Sequence, residues 1–104
     1  MLFAFSIAPT TAADVTGSVS DAVADVIAVV RDSGLPHRTD AMFTTIEGEW
    51  DECMAVIKRA CDACAEHSPR VSLVLKADLR PGYDGQLSAK VERVEERLKG
   101  GSTD

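Results

Sequence analysis

From Val71 to Arg80 the residues alternate almost without a slip: Val71, Leu73, Leu75, Ala77 and Leu79 fall on one parity, and Ser72, Lys76, Asp78 and Arg80 on the other, with Val74 the apolar exception. A period of two belongs to a strand with one packed face and one wetter face; a helix spaces its apolar residues differently. Residues 70–79 are thus predicted to be a strand whose odd-numbered side chains cover a core. The opening residues 2–8, Leu-Phe-Ala-Phe-Ser-Ile-Ala, are apolar on both parities apart from Ser6. That pattern suits a central strand covered on both sides. Phe3, Phe5 and Ile7 are the bulky set and should face the core, leaving Ala4 and Ser6 on the opposite face.

Helices are predicted between these strands. Val19, Val23, Val26, Ile27 and Val30 follow helical spacing, Ser18 and Asp21 resemble a capping pair, and Gly34 with Pro36 ends the run, giving a helix over 18–33. Residues 36–47 are rich in β-branched side chains but too long for one ordinary strand, so they read as a hairpin turning near Asp40–Met42. After Gly48, acids at 49, 51 and 52 open a second helix, with Trp50, Met54, Ile57, Cys61 and Cys64 as its apolar stripe and His67 and Pro69 at its end. Residues 81–85, Pro-Gly-Tyr-Asp-Gly, form a turn. A last helix places Leu87, Val91, Val94 and Leu98 on one face.

The order is strand, helix, strand, strand, helix, strand and an extra helix. It predicts an α/β chain of the α+β sandwich type: a ferredoxin-like βαββαβ arrangement with an additional C-terminal helix. Residues 1–99 read as one domain and 100–104 as a flexible tail. A chain of 104 residues has little interior for a deep private pocket, so a ligand site is expected on the sheet face away from the helices or between subunits. Parity assigns Ser6, Thr45, Glu47, Lys76 and Asp78 to that face, among Ala4, Phe43 and Val74. Such a mixture suits either recognition of a small heterocycle or a polar subunit contact.

Several functions are disfavoured. A net charge of −6 argues against nucleic acid and weakly favours neutral or cationic ligands. No stretch is apolar for long enough to span a bilayer, and the opening lacks a basic leading segment, so a cytoplasmic location without a membrane partner is predicted. Cys61-x-x-Cys64 lies late in its helix, where no thiolate is stabilised, and no second pair would complete a zinc site; packing is the expected role. There is no Gly-rich phosphate loop, and His37 and Asp40, three apart on a strand, point to opposite faces. No catalytic residue, metal ligand or cofactor is expected, and the chain is not predicted to be an enzyme.

Four stretches carry a family resemblance. They are Ala4-Phe5-Ser6-Ile7-Ala8-Pro9; the distinctive run Thr39-Asp40-Ala41-Met42-Phe43-Thr44-Thr45-Ile46-Glu47-Gly48-Glu49-Trp50; residues 70–78; and the end around Lys90-Val91-Glu92. Together they resemble the small thiamine-binding protein family. The resemblance implies a ferredoxin-like fold, homotetramers built by sheet-to-sheet pairing, and non-catalytic binding of thiamine or its hydroxymethylpyrimidine part, as carrier, buffer or sensor. It carries a candidate site onto Ser6, Asp40, Thr45 and Glu47. Phe43 stands where a small residue is expected, and it either narrows the pocket or supplies a stacking ring. A structural or regulatory homo-oligomer, whose polar sheet face merely joins subunits, is the alternative.

Overall fold

The computed structural model describes residues 1–10, 18–87 and 94–98, with Ser18 and Val19 described by backbone alone. Residues 11–17, 88–93 (Val91 among them) and 99–104 lie outside the described residues. Six elements follow in order: β1 Leu2–Pro9, α1 Ser18–Asp32, β2 His37–Thr39, β3 Thr44–Glu47, α2 Trp50–Ala65 and β4 Val71–Asp78. The strands form one sheet in the order β2-β3-β1-β4, and every neighbouring pair is antiparallel. This is the predicted ferredoxin-like arrangement.

β1 is central in the sheet, but its second face is not closed over as its apolar residues on both parities predict: Ala4 borders the open face and Ala8 is exposed. Phe3 and Phe5 are fully buried and meet Ile46, Val30, Cys53, Val56 and Ile57 in the main core. Ile7, Leu35, Met54 and Leu75 pack around its edge. The Phe3 ring meets Trp50 edge-on, with centroids 5.8 Å apart and planes at 66°, an arrangement that aligns the positive edge of one ring with the negative face of the other. The predicted inward face of β4 holds only in part: Val71 and Leu75 pack against the core, whereas Leu73, Ala77 and Leu79 are exposed, as is Val74 on the opposite parity.

Both helices have identifiable ends. Gly34 adopts φ +76°, which a side chain would strain, and the Ser33 amide donates back to Val29 and Val30 as α1 closes. At the start of α2 a capping box forms: the Glu49 side chain accepts from the Glu52 amide while Glu52 Oε1 accepts from the Glu49 amide at 2.9 Å. Gly48 makes room for it, since a Cβ there would sit 2.5 Å from Glu52 Oε1 and 3.0 Å from Cys53 Sγ.

The packed face of α2 differs from the predicted stripe. Its buried residues are Cys53, Val56, Ile57, Ala60 and Cys64, whereas Trp50 is 46 % exposed and Met54 and Cys61 are half-buried. The reason is the partner helix. Ala22 and Val26 of α1 meet Ala60 and Cys64 in a second cluster, where small side chains let the helix backbones approach; a face led by Trp50 would hold them apart. Beyond the cluster, His67 Nε2 lies 2.6 Å from Asp25 Oδ2 and ties the end of α2 to α1.

Candidate functional site

The residues assigned to one site from the sequence are distributed over three depressions. Ser6, Asp40 and Phe43 border a recess of about 180 Å³ between α1 and the β2–β3 turn. Thr45 lies on the open sheet face, beside Ala4, Lys76 and Asp78, over a depression of about 200 Å³. Glu47 borders a third recess of about 490 Å³ at the end of the sheet, formed with residues 35–38 and with Tyr83, Asp84 and Gly85. The open-face assignment is thus correct for Thr45, Lys76 and Asp78. Phe43 departs from it: the residue precedes β3, so strand parity does not govern it, and it borders the same recess as Phe5, Ile7 and the α1 residues Val23 and Ile27. Ser6 is level with Val74 of β4 but also borders this recess, because β3 pairs with β1 only as far as Phe5.

Glu47 faces the expected side of the sheet, level with Leu2 and Asp78, yet it is 5 % exposed. The chain beyond β4 returns over it. The amide of Gln86 donates to Glu47 Oε2 at 2.7 Å and that of Leu87 to Oε1 at 3.3 Å. Gln86 and Leu87 are helical, so the carboxylate satisfies amides that begin a helical segment and meets the positive end of its dipole. On the same returning segment Arg80 lies over the Tyr83 ring, 3.7 Å from its centroid. Residues 94–98 are helical, and Val94 and Leu98 are exposed.

The recess beside α1 has the most organised chemistry. Asp40 Oδ1 accepts from the amides of Met42 and Phe43, both at 2.9 Å, and the Asp40 amide donates to the Phe43 carbonyl at 3.0 Å, which closes the turn. Those two amides, ahead of the nearby Arg38 charge, hold the Asp40 carboxyl below its usual 3.8. Oδ2 accepts no hydrogen bond from the described residues. Across the turn the Thr39 and Thr44 hydroxyls meet at 3.1 Å. Thr44 is buried, and both residues line the recess. One wall is therefore aromatic and aliphatic and the other carries two hydroxyls and a carboxylate. The Thr39–Thr44 pair was not singled out from the sequence, because only the antiparallel register of β2 on β3 sets Thr39 opposite Thr44.

A folded-state carboxyl held below its unfolded value adds stability above that value and loses it as pH falls through the folded one. The Asp40 brace should therefore be intact at neutral pH and release only below 3.8. An NMR titration of Asp40 with its midpoint at or above 3.8 would contradict the turn geometry.

The cysteines are free thiols. Burial, reinforced by Glu52, pushes Cys53 up to about 11, and burial likewise raises Cys61 and Cys64. Such thiols are protonated and inert at neutral pH. Among the described residues no group of three or more His, Cys, Asp or Glu could hold a metal ion.

A family model described as thiamine-binding protein matches residues 3–95. The chain belongs to the thiamine-binding protein family. It is 50 % identical over 99 residues to a UPF0045 protein of Mycobacterium tuberculosis, covering 94 % of each chain. Among solved structures it is similar to a domain of unknown function from Bacillus cereus, with 33 % identity, a TM-score of 0.75 and coverage of 86 % of this chain and 85 % of the other. A Thermotoga maritima protein provisionally assigned to thiamine biosynthesis or salvage shares the fold, with a TM-score of 0.74, 22 % identity and coverage of 89 % and 96 %. The family match extends across the turn at Asp40–Phe43 and across the strands that hold Ser6, Thr45 and Glu47. No described helix is long and apolar enough to cross a membrane.

Proposed function

We propose that this chain binds thiamine, or its hydroxymethylpyrimidine part, without transforming it, in the recess between α1 and the β2–β3 turn. The observation that carries this reading is the convergence of Ser6, Asp40 and Phe43 with the Thr39–Thr44 hydroxyl pair in one recess of a chain that belongs to a thiamine-binding family. An aminopyrimidine presents an amine donor beside ring-nitrogen acceptors. The threonine hydroxyls can donate or accept, and Asp40 Oδ2 can accept from the amine. Phe43 supplies a ring for stacking. About 180 Å³ suits one substituted ring rather than the whole vitamin, so the cationic thiazolium would lie toward solvent, near the Asp40 carboxylate. The role is that of a carrier, buffer or sensor in the cytoplasm, and no cofactor is required for it.

The test is a thermal-shift series with thiamine, hydroxymethylpyrimidine and unrelated heterocycles, followed by titration calorimetry. Saturable stabilisation by the first two is the expected result, since a ligand that binds only the native state raises the melting temperature. Thr44→Val should weaken thiamine roughly fivefold, about 1 kcal/mol, the scale of one neutral hydrogen bond. If Thr45→Val weakens binding and Thr44→Val does not, the ligand sits on the open sheet face instead.

A second reading rests on that open face. Val74 is 55 % exposed there, between Ser72 and Lys76, and an apolar residue amid directional polar groups suits a contact between copies of the chain. Sheet-to-sheet pairing into a homotetramer would cover it, with or without a ligand. Glu47, occupied by the Gln86 and Leu87 amides, is not available to pair with Lys76 across such a contact. A tetramer by light scattering, combined with no thermal response to thiamine at millimolar concentration, would favour this structural role.

A further inference from the structure

We propose that Met42 is the site at which hydroperoxides modify this protein, and that the resulting sulfoxide weakens ligand binding in the adjoining recess. The second half of the proposal rests on the binding reading above; the first does not.

The ordering follows from the six sulfur atoms. Met42 is 75 % exposed at the tip of the β2–β3 turn. Met1 and Met54 are half-buried and packed against the main core. Cys53 and Cys64 are buried, Cys61 is half-buried, and burial keeps all three thiols protonated. Peroxide reacts with thiolates rather than thiols, and with thioethers it can reach. Exposure and protonation therefore both favour Met42. In the reaction the thioether sulfur attacks the distal peroxide oxygen, the O–O bond breaks, a sulfoxide S–O bond forms, and the remaining oxygen leaves with the proton as water or an alcohol. Sulfur is oxidised by two electrons and the peroxide is reduced by two.

The position gives the modification a consequence. Met42 borders the recess, and its amide is held by Asp40 Oδ1, as is that of Phe43. The side chain is thus presented from a braced turn at the rim of the recess that Phe43 also borders. Conversion of the thioether to a sulfoxide replaces an apolar, flexible group with a strong dipole. That dipole competes for the Thr39 and Thr44 hydroxyls and removes apolar cover from the mouth.

The experiment treats the whole protein with graded hydrogen peroxide, maps the added oxygen by peptide mass spectrometry, and titrates thiamine before and after. The expected result is that the Met42 peptide is modified well before those of Met1, Met54 or any cysteine. Thiamine affinity should then fall roughly fivefold or more, as when a polar group at a site lacks its proper partner. Methionine sulfoxide reductase should restore it. Met42→Leu should show the same affinity before and after peroxide, whatever its starting value. Oxidation of Met54 or a cysteine at the same dose overturns the ordering. An oxidised protein that binds as tightly as the untreated one overturns the coupling. If the untreated protein takes up no thiamine, the coupling falls together with the binding reading, and the mapping alone decides the modification site.

Discussion

Phe3→Ala is expected to remove about 3–5 kcal/mol of folding stability, the range for truncating a buried aromatic ring. Phe3 is fully buried in the central strand, within the main cluster, and its ring contacts Trp50 edge-on. The loss combines the apolar surface returned to water, the cavity left between β1 and α2, and the missing aromatic contact. Since single domains are stable by only about 5–15 kcal/mol, the variant should be marginal. Urea unfolding at constant m-value is the measurement. Phe3→Leu, which retains much of the volume, should lose far less. A deficit below about 1 kcal/mol for the alanine variant would mean that the core is not organised around β1.

Glu47→Ala is the second large effect, and its character separates two roles for this residue. The resemblance to the family places Glu47 at the ligand, where its loss would reduce affinity by at least about 1.5 kcal/mol. The geometry gives its two oxygens to the amides of Gln86 and Leu87, in a different recess from Asp40 and Phe43. The expected result is therefore a loss of about 2 kcal/mol in stability, the scale of charge-assisted hydrogen bonds to a buried carboxylate. The Gln86 and Leu87 amides should also lose their protection from hydrogen exchange. Glu47→Gln should retain part of both, because its amide oxygen still accepts one bond. Protection that survives in the alanine variant, together with a sharp loss of thiamine affinity, would return Glu47 to the ligand site.

Asp40 entered the candidate site through the family resemblance and not through local pattern. The run from Thr39 to Trp50 marks the turn and the strand after it, and Asp40 and Phe43 do border a recess. Alternation about Ile46 assigns Thr44 to the packed side of β3, and both are buried. What its assignment lacked was a partner: Thr39 reaches Thr44 through the pairing of β2 with β3, and nothing within either strand records that register. The α2 stripe failed for a related reason. Rows beginning at Trp50 and at Cys53 are both plausible apolar faces, and small Ala22 on a distant helix selects the second.

Sequence alone determined the order of the elements and the inward face of β1, with Phe3 and Phe5 buried. Alternation in β4, the apolar run of β1 and the capping residues around α2 act between neighbours a few positions apart, where backbone geometry fixes which side chains share a side. Tertiary structure decided which of those sides meet. It set Thr39 against Thr44, placed Phe43 at a recess that α1 also borders and brought Gln86 and Leu87 back over Glu47, 39 and 40 positions away. Such contacts depend on strand order and chain return, and no local period carries them.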